Sequence, residues 1–381
     1  MTNTVIPQTD PKAAYLDQRA AIDQAITRVL ESGWYILGRE VSAFEQEFAA
    51  FNGAAHGIGV ANGTDALVLG LRALGVGPGD AVVTVSHTAV ATVAAIELTG
   101  ALPVLIDVDE CHGMAPDQLE EVLNGRLAGG DRLSLPVKAI VPVHLYGHPV
   151  ALDRIMDIAA HFGVPVLEDC SQAHGATFDG RIVGTFGALA AFSLYPTKNL
   201  GALGDGGVLI TNDSALAERL RHLREYGWKE RYISHDAGHN SRLDELQAAI
   251  LRVKLEKLGA HNARRQAIAE AYDRGLDSLS LERPRRRPNT VPVFHQYVVT
   301  TPSRDALRTA LQARGIMTNI HYPAPVHLQP AYLGRLPHGP GGLPQTERMA
   351  GLVLSLPMYP QLGDEAVASV VAALRDVVPS L

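Results

Sequence analysis

The sequence predicts an α/β fold in which a mostly parallel sheet, flanked by helices, is followed by a smaller C-terminal α+β domain. Short apolar segments alternate with helical patterns through the first two thirds of the 381 residues, and this alternation is typical of parallel sheets with crossover helices. The apolar segments are rich in Val, Ile, Leu and Ala with little polar alternation, which indicates strands covered on both faces. After about residue 241 the pattern changes, which indicates a second domain.

Seven strands and four helices are predicted in the first part of the chain. The strands are short runs of apolar, often β-branched residues, and the helices carry apolar residues three and four positions apart. The predicted strands cover residues 56–60, 81–85, 104–106, 138–144, 164–168, 189–194 and 208–211, and the predicted helices cover 65–74, 88–98, 152–162 and 214–226.

The second part begins with one long helix predicted over residues 242–277, which contain no proline. The charged, proline-bounded segment 282–288 follows as a connector. We therefore place the domain boundary near residue 245, which divides the chain into 1–245 and 246–381. The other predicted elements are strands at 296–300 and 316–320, helices at 303–314 and 364–378, and a short apolar run at 352–356.

Composition and charge exclude several classes of protein. The chain has 33 Lys and Arg against 40 Asp and Glu, a formal net charge of −7, which argues against a main role in binding nucleic acid. The connector carries Arg283 before Pro284 and the arginines 285–287 between Pro284 and Pro288, which favours a solvated segment. The two cysteines, Cys111 and Cys170, are too few for a disulfide framework or a cysteine-rich zinc site.

The sequence also gives no sign of a membrane span or a secretory signal. The first ten residues are polar, and the most apolar stretch, 89–108, is interrupted by glutamate, glycine, proline and aspartate. We therefore expect a cytoplasmic protein with no membrane partner.

The strongest local signal is a lysine that follows a predicted buried strand. Pro196 ends the strand at 189–194, Lys198 comes next, and glycines then allow a tight turn. Open α/β sheets bind ligands beyond their strand ends, and a lysine desolvated there has a lowered pKa and can form a Schiff base. A solvated loop lysine is the alternative. No G-x-x-x-x-G-K-[ST] string occurs, so the glycines are not a P-loop.

A carboxylate and a helix start complete the set of local signals. Asp169 follows the apolar strand at 164–168, and a carboxylate paired with a lysine is what a pyridoxal phosphate site requires. Asn62, Gly63 and Thr64 stand between a strand and a helix, where free backbone N–H groups bind anions. Taken singly, each of these could be an ordinary cap or turn residue.

These strings, in this order, resemble the pyridoxal-phosphate-dependent nucleotide-sugar aminotransferases of the DegT/StrS type, which have the type I aspartate aminotransferase fold. The resemblance extends from about residue 34 to residue 360. It includes GTDAL at 63–67, HLYG at 144–147, EDCSQAHGA at 168–176, SLYPTKNLGALGDGG at 193–207, GHNSRLDELQAA at 238–249 and HYPAPVHLQPAY at 321–332.

The resemblance implies amino transfer, with glutamate as the donor, to a keto group of a nucleotide-linked deoxysugar used in lipopolysaccharide or antibiotic synthesis. It implies pyridoxal 5'-phosphate as the cofactor, a homodimer with shared active sites and no metal. Family members that remove a hydroxyl have histidine at the lysine position, so Lys198 favours amination. The stretch at 86–96 is more similar to enzymes that act at C3 of the sugar than at C4.

The resemblance also implies roles for individual residues. It assigns the aldimine and the proton transfer to Lys198, the pyridine nitrogen to Asp169, and the phenolic oxygen of the ring to Gln172. It assigns phosphate binding to Gly63, Thr64 and Ser193, together with Asn240 of the neighbouring subunit. It assigns binding of the sugar nucleotide to His321, Tyr322 and His327.

The family often has an aromatic residue that stacks on the cofactor ring, and this chain departs from that pattern with Ala89. Either His87 makes the ring contact or another residue does, and the sequence leaves this open.

Two other functions are alternatives. Asp107-Val108-Asp109 is similar to the D-x-D string of metal-dependent glycosyltransferases, although it also fits a polar strand end without further ligands nearby. A non-catalytic regulator with the same fold is the second alternative, and the presence of Lys198, Asp169 and Gln172 together argues against it.

Overall fold

The computed structural model describes residues 5–381, which form thirteen α-helices and fourteen strands. No helix within these residues is long and apolar enough to cross a membrane. The helices are α1 (Pro11–Leu16), α2 (Arg19–Ser32), α3 (Arg39–Asn52), α4 (Gly63–Ala73), α5 (Val90–Leu98), α6 (Pro116–Leu123), α7 (Leu152–Phe162), α8 (Ser214–Leu223), α9 (Glu245–Leu255), α10 (Leu258–Gly275), α11 (Arg304–Ala313), α12 (Pro344–Leu352) and α13 (Asp364–Val377). The strands are β1 (His56–Val60), β2 (Ala81–Val85), β3 (Leu102–Ile106), β4 (Val137–Ile140), β5 (Leu167–Asp169), β6 (Thr177–Phe178), β7 (Arg181–Ile182), β8 (Leu189–Ser193), β9 (Gly207–Thr211), β10 (Trp228–Glu230), β11 (Ile233–Ser234), β12 (Thr290–Val291), β13 (Tyr297–Thr300) and β14 (Val353–Leu356).

Seven strands form the central sheet in the order β3–β2–β4–β5–β8–β9–β1. Its two ladders, β3–β2–β4 and β5–β8–β9–β1, meet through single parallel bridges, Ile140 to Val166 and Val143 to Asp169. Within this sheet β9 alone runs antiparallel to its neighbours. The predicted α/β fold with a mostly parallel sheet is therefore confirmed.

Helices cover both faces of this sheet. Val83 of β2 packs in a core with α3, α6, α7 and α9, whereas the preceding residue, Val82, packs in a second core with α4, α5 and α8. Because both faces are buried, both side-chain sets of the strands are apolar. The loops beyond the strand ends are left free to carry polar side chains.

A third core lies in the C-terminal part of the chain. The helices α10, α11 and α13 pack around the antiparallel pair β13–β14, with Tyr272, Tyr297 and Phe294 among the buried side chains. The N-terminal segment joins this part, because Ile6 bridges Ile316. A separate core supports the division at residue 245, which stays a prediction.

Most predicted elements match the observed ones to within three residues at each end, and three differ by more. The helix predicted over 242–277 is two helices, α9 and α10, because α9 packs on the sheet and α10 packs in the third core. The strand predicted over 138–144 ends at Ile140, since Pro142 has no N–H to donate. Residues 316–320 form no strand, because their two ends bridge different partners.

Candidate active site

Most of the predicted site residues meet in one cavity at the carboxyl ends of β5 and β8. The cavity has a volume of about 490 Å³, which is enough for a cofactor and part of a substrate. The start of α4 contributes one wall, and a loop that follows α11 contributes another. The predicted residues that line the cavity are Gly63, Thr64, Asp169, Gln172, Ser193, Lys198, His321 and Tyr322.

Lys198 lies in a tight turn beyond the end of β8. Its backbone N–H donates to the Tyr195 carbonyl over 2.8 Å. Gly201 is required nearby, because a Cβ there would lie 2.5 Å from the Pro196 oxygen. Burial lowers the pKa of the Lys198 ammonium to about 8, and the charge of Asp169 opposes this shift. Near neutral pH the amine is therefore uncharged far more often than that of a free lysine.

Asp169 is the last residue of β5, and its carboxylate is buried and held by two donors. The Thr92 hydroxyl donates to Oδ2 over 2.9 Å, and the Ser171 N–H donates to Oδ1 over 3.1 Å. Thr92 is in turn 3.1 Å from the Thr88 hydroxyl. Two fixed oxygens in a buried position can hold a cationic ring nitrogen in place.

The start of α4 is an anion site opposite Ser193. The Asn62 side chain accepts from the Asp65 N–H over 2.8 Å and caps the helix. The N–H groups of Gly63 and Thr64, at the first two helical positions, have no carbonyl partner within the helix. A Cβ on Gly63 would lie 2.6 Å from the Ser193 Cβ. The missing side chain therefore lets the helix start lie directly against Ser193, so that its N–H groups and the Ser193 hydroxyl can bind the same phosphate.

Gln172 connects the end of β5 to the C-terminal part of the chain. Its Oε1 accepts from the Tyr146 N–H over 2.7 Å, and its Nε2 donates to the Tyr322 hydroxyl over 3.2 Å. Burial raises the pKa of Tyr322 to about 12, so the phenol keeps its proton. Burial and the Lys198 charge lower the pKa of His321 to about 4. The His321 ring is therefore neutral at neutral pH.

The sequence around this cavity matches that of a known protein family. The sequence model of the DegT/DnrJ/EryC1/StrS aminotransferase family matches residues 16–375. The chain belongs to this family. The resemblance seen in the six sequence strings is therefore confirmed, and the chain is an aminotransferase.

Two curated relatives match nearly the whole chain. The dTDP-3-amino-3,4,6-trideoxy-alpha-D-glucose transaminase of Streptomyces venezuelae is 47% identical over 373 residues, covering 97% of this chain and 96% of the relative. The erythromycin biosynthesis sensory transduction protein EryC1 of Saccharopolyspora erythraea is 48% identical over 374 residues, covering 97% of this chain and 99% of the relative.

Solved structures of the family have the same fold. The crystal structure of S. venezuelae DesV in complex with a ketimine intermediate superposes with a TM-score of 0.92 at 47% identity, covering 98% of each chain. NtdA from Bacillus subtilis with bound cofactor PMP superposes with a TM-score of 0.85 at 28% identity, covering 95% of this chain and 82% of that one. The type I fold predicted from the sequence is confirmed.

Proteins of this family depend on pyridoxal phosphate, which confirms the predicted cofactor, and the cavity fits that group. The amine of Lys198, the carboxylate of Asp169 and the helix start at Gly63 all line the cavity and would supply one partner each for its aldehyde, its ring nitrogen and its phosphate. The close approach of the α4 start to Ser193, which a glycine at position 63 allows, is the observation that fits a phosphate most directly.

His327 and Asn240 do not line this cavity, and their predicted roles stay predictions. The His327 Nδ1 is 2.7 Å from the Ser86 hydroxyl, and its Nε2 is 3.2 Å from Glu347. Asn240 is exposed. Its neighbour Ser241 is fixed, because the Ser241 hydroxyl donates to the Asp65 carboxylate of α4 over 2.6 Å.

Sequence reasoning missed His295 as a residue of the cavity wall and read Gln296 only as part of a strand. His295 Nδ1 is 3.3 Å from the side-chain oxygen of Asn199, the residue after Lys198. Burial and the Lys198 charge hold the pKa of His295 well below its usual range. The signal that could have identified His295 is the polar pair His295-Gln296 inside the apolar run at 293–299. This pattern predicts a strand but does not show that the two side chains line the cavity.

The question raised by Ala89 now has a partial answer. Ala89 and Val143 line the cavity, whereas His87 is buried outside its lining with Nε2 2.9 Å from the Tyr146 hydroxyl. In this structure His87 therefore supports Tyr146 and is not part of the cavity wall.

The carboxylates of the D-x-D string already have partners. Asp107 accepts from the N–H groups of Gln345 and Thr346 at 2.8 Å each, at the start of α12. Asp109 accepts from the Cys111 N–H over 2.9 Å and pairs with Arg287. These bonds connect the loop after β3 to the C-terminal part of the chain. The two aspartates of the D-x-D string therefore have a structural role. Each connector arginine is likewise paired with a carboxylate: Arg283 with Asp277, Arg285 with Glu110, Arg286 with Asp273 and Arg287 with Asp109.

Proposed function

We propose that this aminotransferase adds an amino group to a keto carbon of a nucleotide-linked deoxysugar. The observation that carries the proposal is the convergence of the Lys198 amine, the Asp169 carboxylate and the start of α4 in one cavity. Membership of the family supports the reaction class. The name of the S. venezuelae relative supports the substrate class.

Lys198 has two tasks in this proposal. Its amine would hold the cofactor through the aldehyde, and as a free amine it would take up and return the proton of the substrate carbon. Both tasks need an uncharged amine for part of the cycle, and the pKa of about 8 supplies it. The bound cofactor supplies the electron-accepting ring.

The other residues hold the cofactor in one orientation. Asp169 would keep the ring nitrogen protonated, Gln172 would contact the phenolic oxygen, and the α4 start with Ser193 would bind the phosphate. His321 and Tyr322, on the opposite wall, contact the sugar. His327, in the same loop, is assigned to the sugar nucleotide at the outer end of the site.

We further propose C3 of a dTDP-linked deoxyhexose as the position aminated and glutamate as the donor. The C3 assignment rests on the 3-amino product in the name of the S. venezuelae relative and on the similarity of the stretch at 86–96 to C3 enzymes. The donor rests on the family resemblance alone.

We also propose that the enzyme is a cytoplasmic homodimer with shared active sites. Asn240 is exposed and lies outside the cavity of its own protomer. Trp34, Tyr35 and Ile36 are consecutive in the chain and expose 64%, 48% and 44% of their surfaces, and a contiguous exposed apolar patch marks a face that a partner covers. The proposal places Asn240 at the cofactor phosphate of the partner.

The test is a half-reaction with defined sugars. The enzyme carrying the aminated cofactor is mixed with the 3-keto or the 4-keto form of dTDP-6-deoxyglucose, and cofactor absorbance and product mass are followed. We expect rapid consumption of the 3-keto sugar only. Faster reaction with the 4-keto sugar contradicts the C3 assignment. Reaction with neither, in an enzyme that accepts an amino group from glutamate, contradicts the sugar substrate.

A regulator without catalytic activity is the second candidate, because the relative EryC1 is named a sensory transduction protein. The same half-reaction separates the two functions. A purely regulatory protein gives no turnover, whereas the intact set of Lys198, Asp169 and Gln172 leads us to expect turnover.

A further inference from the structure

Tyr146 is buried next to the cavity without lining it, and each of its polar groups has a partner. Its N–H donates to Gln172 Oε1 over 2.7 Å, its carbonyl accepts from the Gln296 N–H over 3.3 Å, and its hydroxyl donates to the His321 carbonyl. The hydroxyl oxygen also lies 2.9 Å from His87 Nε2. The side chain and backbone of Tyr146 thus bind four separate segments of the chain, those of His87, Gln172, Gln296 and His321.

The directions of these hydrogen bonds are fixed by chemistry. A carbonyl can only accept, so the Tyr146 hydroxyl proton points at His321. The hydroxyl oxygen is then an acceptor for His87, which must carry its ring proton on Nε2. His87 is therefore a donor that fixes the rotation of the Tyr146 hydroxyl, and through it the His321 carbonyl.

The backbone at Tyr146 is held in a disfavoured conformation. Its φ of 60° and ψ of 5° lie in the left-handed region, where a residue with a Cβ is sterically strained. Gly147 follows in close contact, since a Cβ there would lie 2.9 Å from the Gln172 carbonyl. Strain of this kind persists only where neighbouring contacts hold it.

From these contacts we infer that Tyr146 is a positioning residue for substrate binding, which holds the His321–Tyr322 segment over the cavity. The hydrogen bonds form a closed ring from Tyr146 to Gln172, on to Tyr322, and back through His321 to Tyr146. Loss of the Tyr146 hydroxyl opens the ring at His321 and loosens both cavity-lining side chains. The inference rests on the proposed sugar substrate and deepens it.

The first test uses Tyr146→Phe with Tyr272→Phe as the matched control. Tyr272 is also buried, and its hydroxyl also donates to a backbone carbonyl, that of Pro357, over 2.9 Å in the third core. Hydrogen exchange measured by mass spectrometry on the holoenzymes should show faster exchange in peptides covering 319–328 for Tyr146→Phe only. Equal exchange in these peptides for both variants overturns the inference.

The second test separates positioning from general destabilisation. Each holoenzyme is mixed with increasing dTDP-3-amino-3,6-dideoxyglucose, the product expected from the 3-keto sugar of the half-reaction, and the rate of cofactor conversion is recorded. For Tyr146→Phe we expect the half-saturating concentration to rise at least fivefold while the maximal rate changes less than twofold. Tyr272→Phe should leave both unchanged, although its melting temperature falls by a similar amount.

The outcomes distinguish the inference from the proposed function. If the wild-type enzyme converts the amino sugar and both variants saturate like it, the proposed function stands and the positioning role is overturned. If the wild-type enzyme does not react with this sugar, the proposed substrate is wrong and the inference falls with it.

Discussion

At the scale of single residues, the site depends on two opposite charges that share a buried cavity. Burial lowers the pKa of Lys198, while Asp169 raises it, and burial wins because the pKa falls to about 8. The neighbouring rings of His295 and His321 are neutral, since burial lowers their pKa values too. Asp169 is thus the charge that sets how readily Lys198 gives up its proton.

This balance predicts a pH dependence for cofactor capture by the cofactor-free enzyme. Only the uncharged amine attacks an aldehyde, so the capture rate should rise about tenfold per pH unit below pH 8 and level off above it. A rate that keeps rising to about pH 10, as expected for an unshifted lysine, contradicts the shift. In Asp169→Asn the plateau should begin at lower pH, because the charge that raises the pKa of Lys198 is gone. Absorbance after addition of pyridoxal phosphate measures both.

The Asp169 carboxylate is also predicted to be needed for the reaction itself. Asp169→Asn keeps the shape of the side chain but removes the charge that keeps the ring nitrogen protonated, so turnover should fall by about a thousandfold or more. Asp109→Asn is the control, because Asp109 is bound to Arg287 and to backbone outside the cavity. A loss below about tenfold, roughly 1.4 kcal/mol, would make Asp169 structural. A similarly large loss in the control would show that the effect is not specific to the carboxylate of Asp169.

At the scale of elements, the start of α4 depends on close contact with the end of β8. The helix can begin next to Ser193 because its first residue is Gly63, and Asn62 supplies the cap. The helix packs on the sheet through residues such as Leu67 and Leu71. Its axis is therefore fixed by the core, and it cannot move away from Ser193 without loss of packing.

We accordingly predict that Gly63→Ala weakens cofactor binding at least tenfold. The new Cβ would lie 2.6 Å from the Ser193 Cβ, so either the helix start or Ser193 must shift out of the phosphate cradle. Gly259→Ala in α10 is the control, because nothing lies within 4 Å of a Cβ there. It should leave the cofactor dissociation constant unchanged and add about 0.5–1 kcal/mol of stability. Equal cofactor affinity in both variants would show that the cradle is elsewhere.

At the scale of the whole molecule, Asn240 tests whether one chain forms a complete site. In the proposed shared site, Asn240→Asp would place a carboxylate against the partner's cofactor phosphate, and like charges repel strongly in a partly buried site. Lys198→Ala removes the reacting amine. If sites are shared, a dimer of one chain of each kind has one site with both defects and one site with neither. Random pairing should then restore up to about a quarter of wild-type activity.

The mixing experiment has an internal control. Lys198→Ala mixed with Asp169→Asn should stay inactive, because both residues serve the cavity of their own chain and every mixed site keeps a defect. Subunit exchange is verified by native mass spectrometry of tagged chains. No recovery for the Lys198 and Asn240 pair, with exchange complete, shows that Asn240 serves its own chain or no cofactor.

The sequence by itself determined the residues that stand at strand ends and helix starts. Lys198 and Asp169 each follow a short apolar run, and Gly63 stands between an apolar run and a helical pattern. Such features depend on a few neighbouring residues, so propensity and periodicity can locate them. The sheet and the helices on both faces were predictable for the same reason, whereas the family was predicted from the resemblance of six sequence strings.

Only the tertiary structure decided how distant segments meet. The break between α9 and α10 follows from packing against two cores, and no residue between them signals it. Tyr146 and His295 carry no local sign of their contacts with His321 and Asn199, which are 175 and 96 residues away in the chain. Side-chain contacts over such separations arise only when the domains pack together, and a one-dimensional pattern does not contain that geometry.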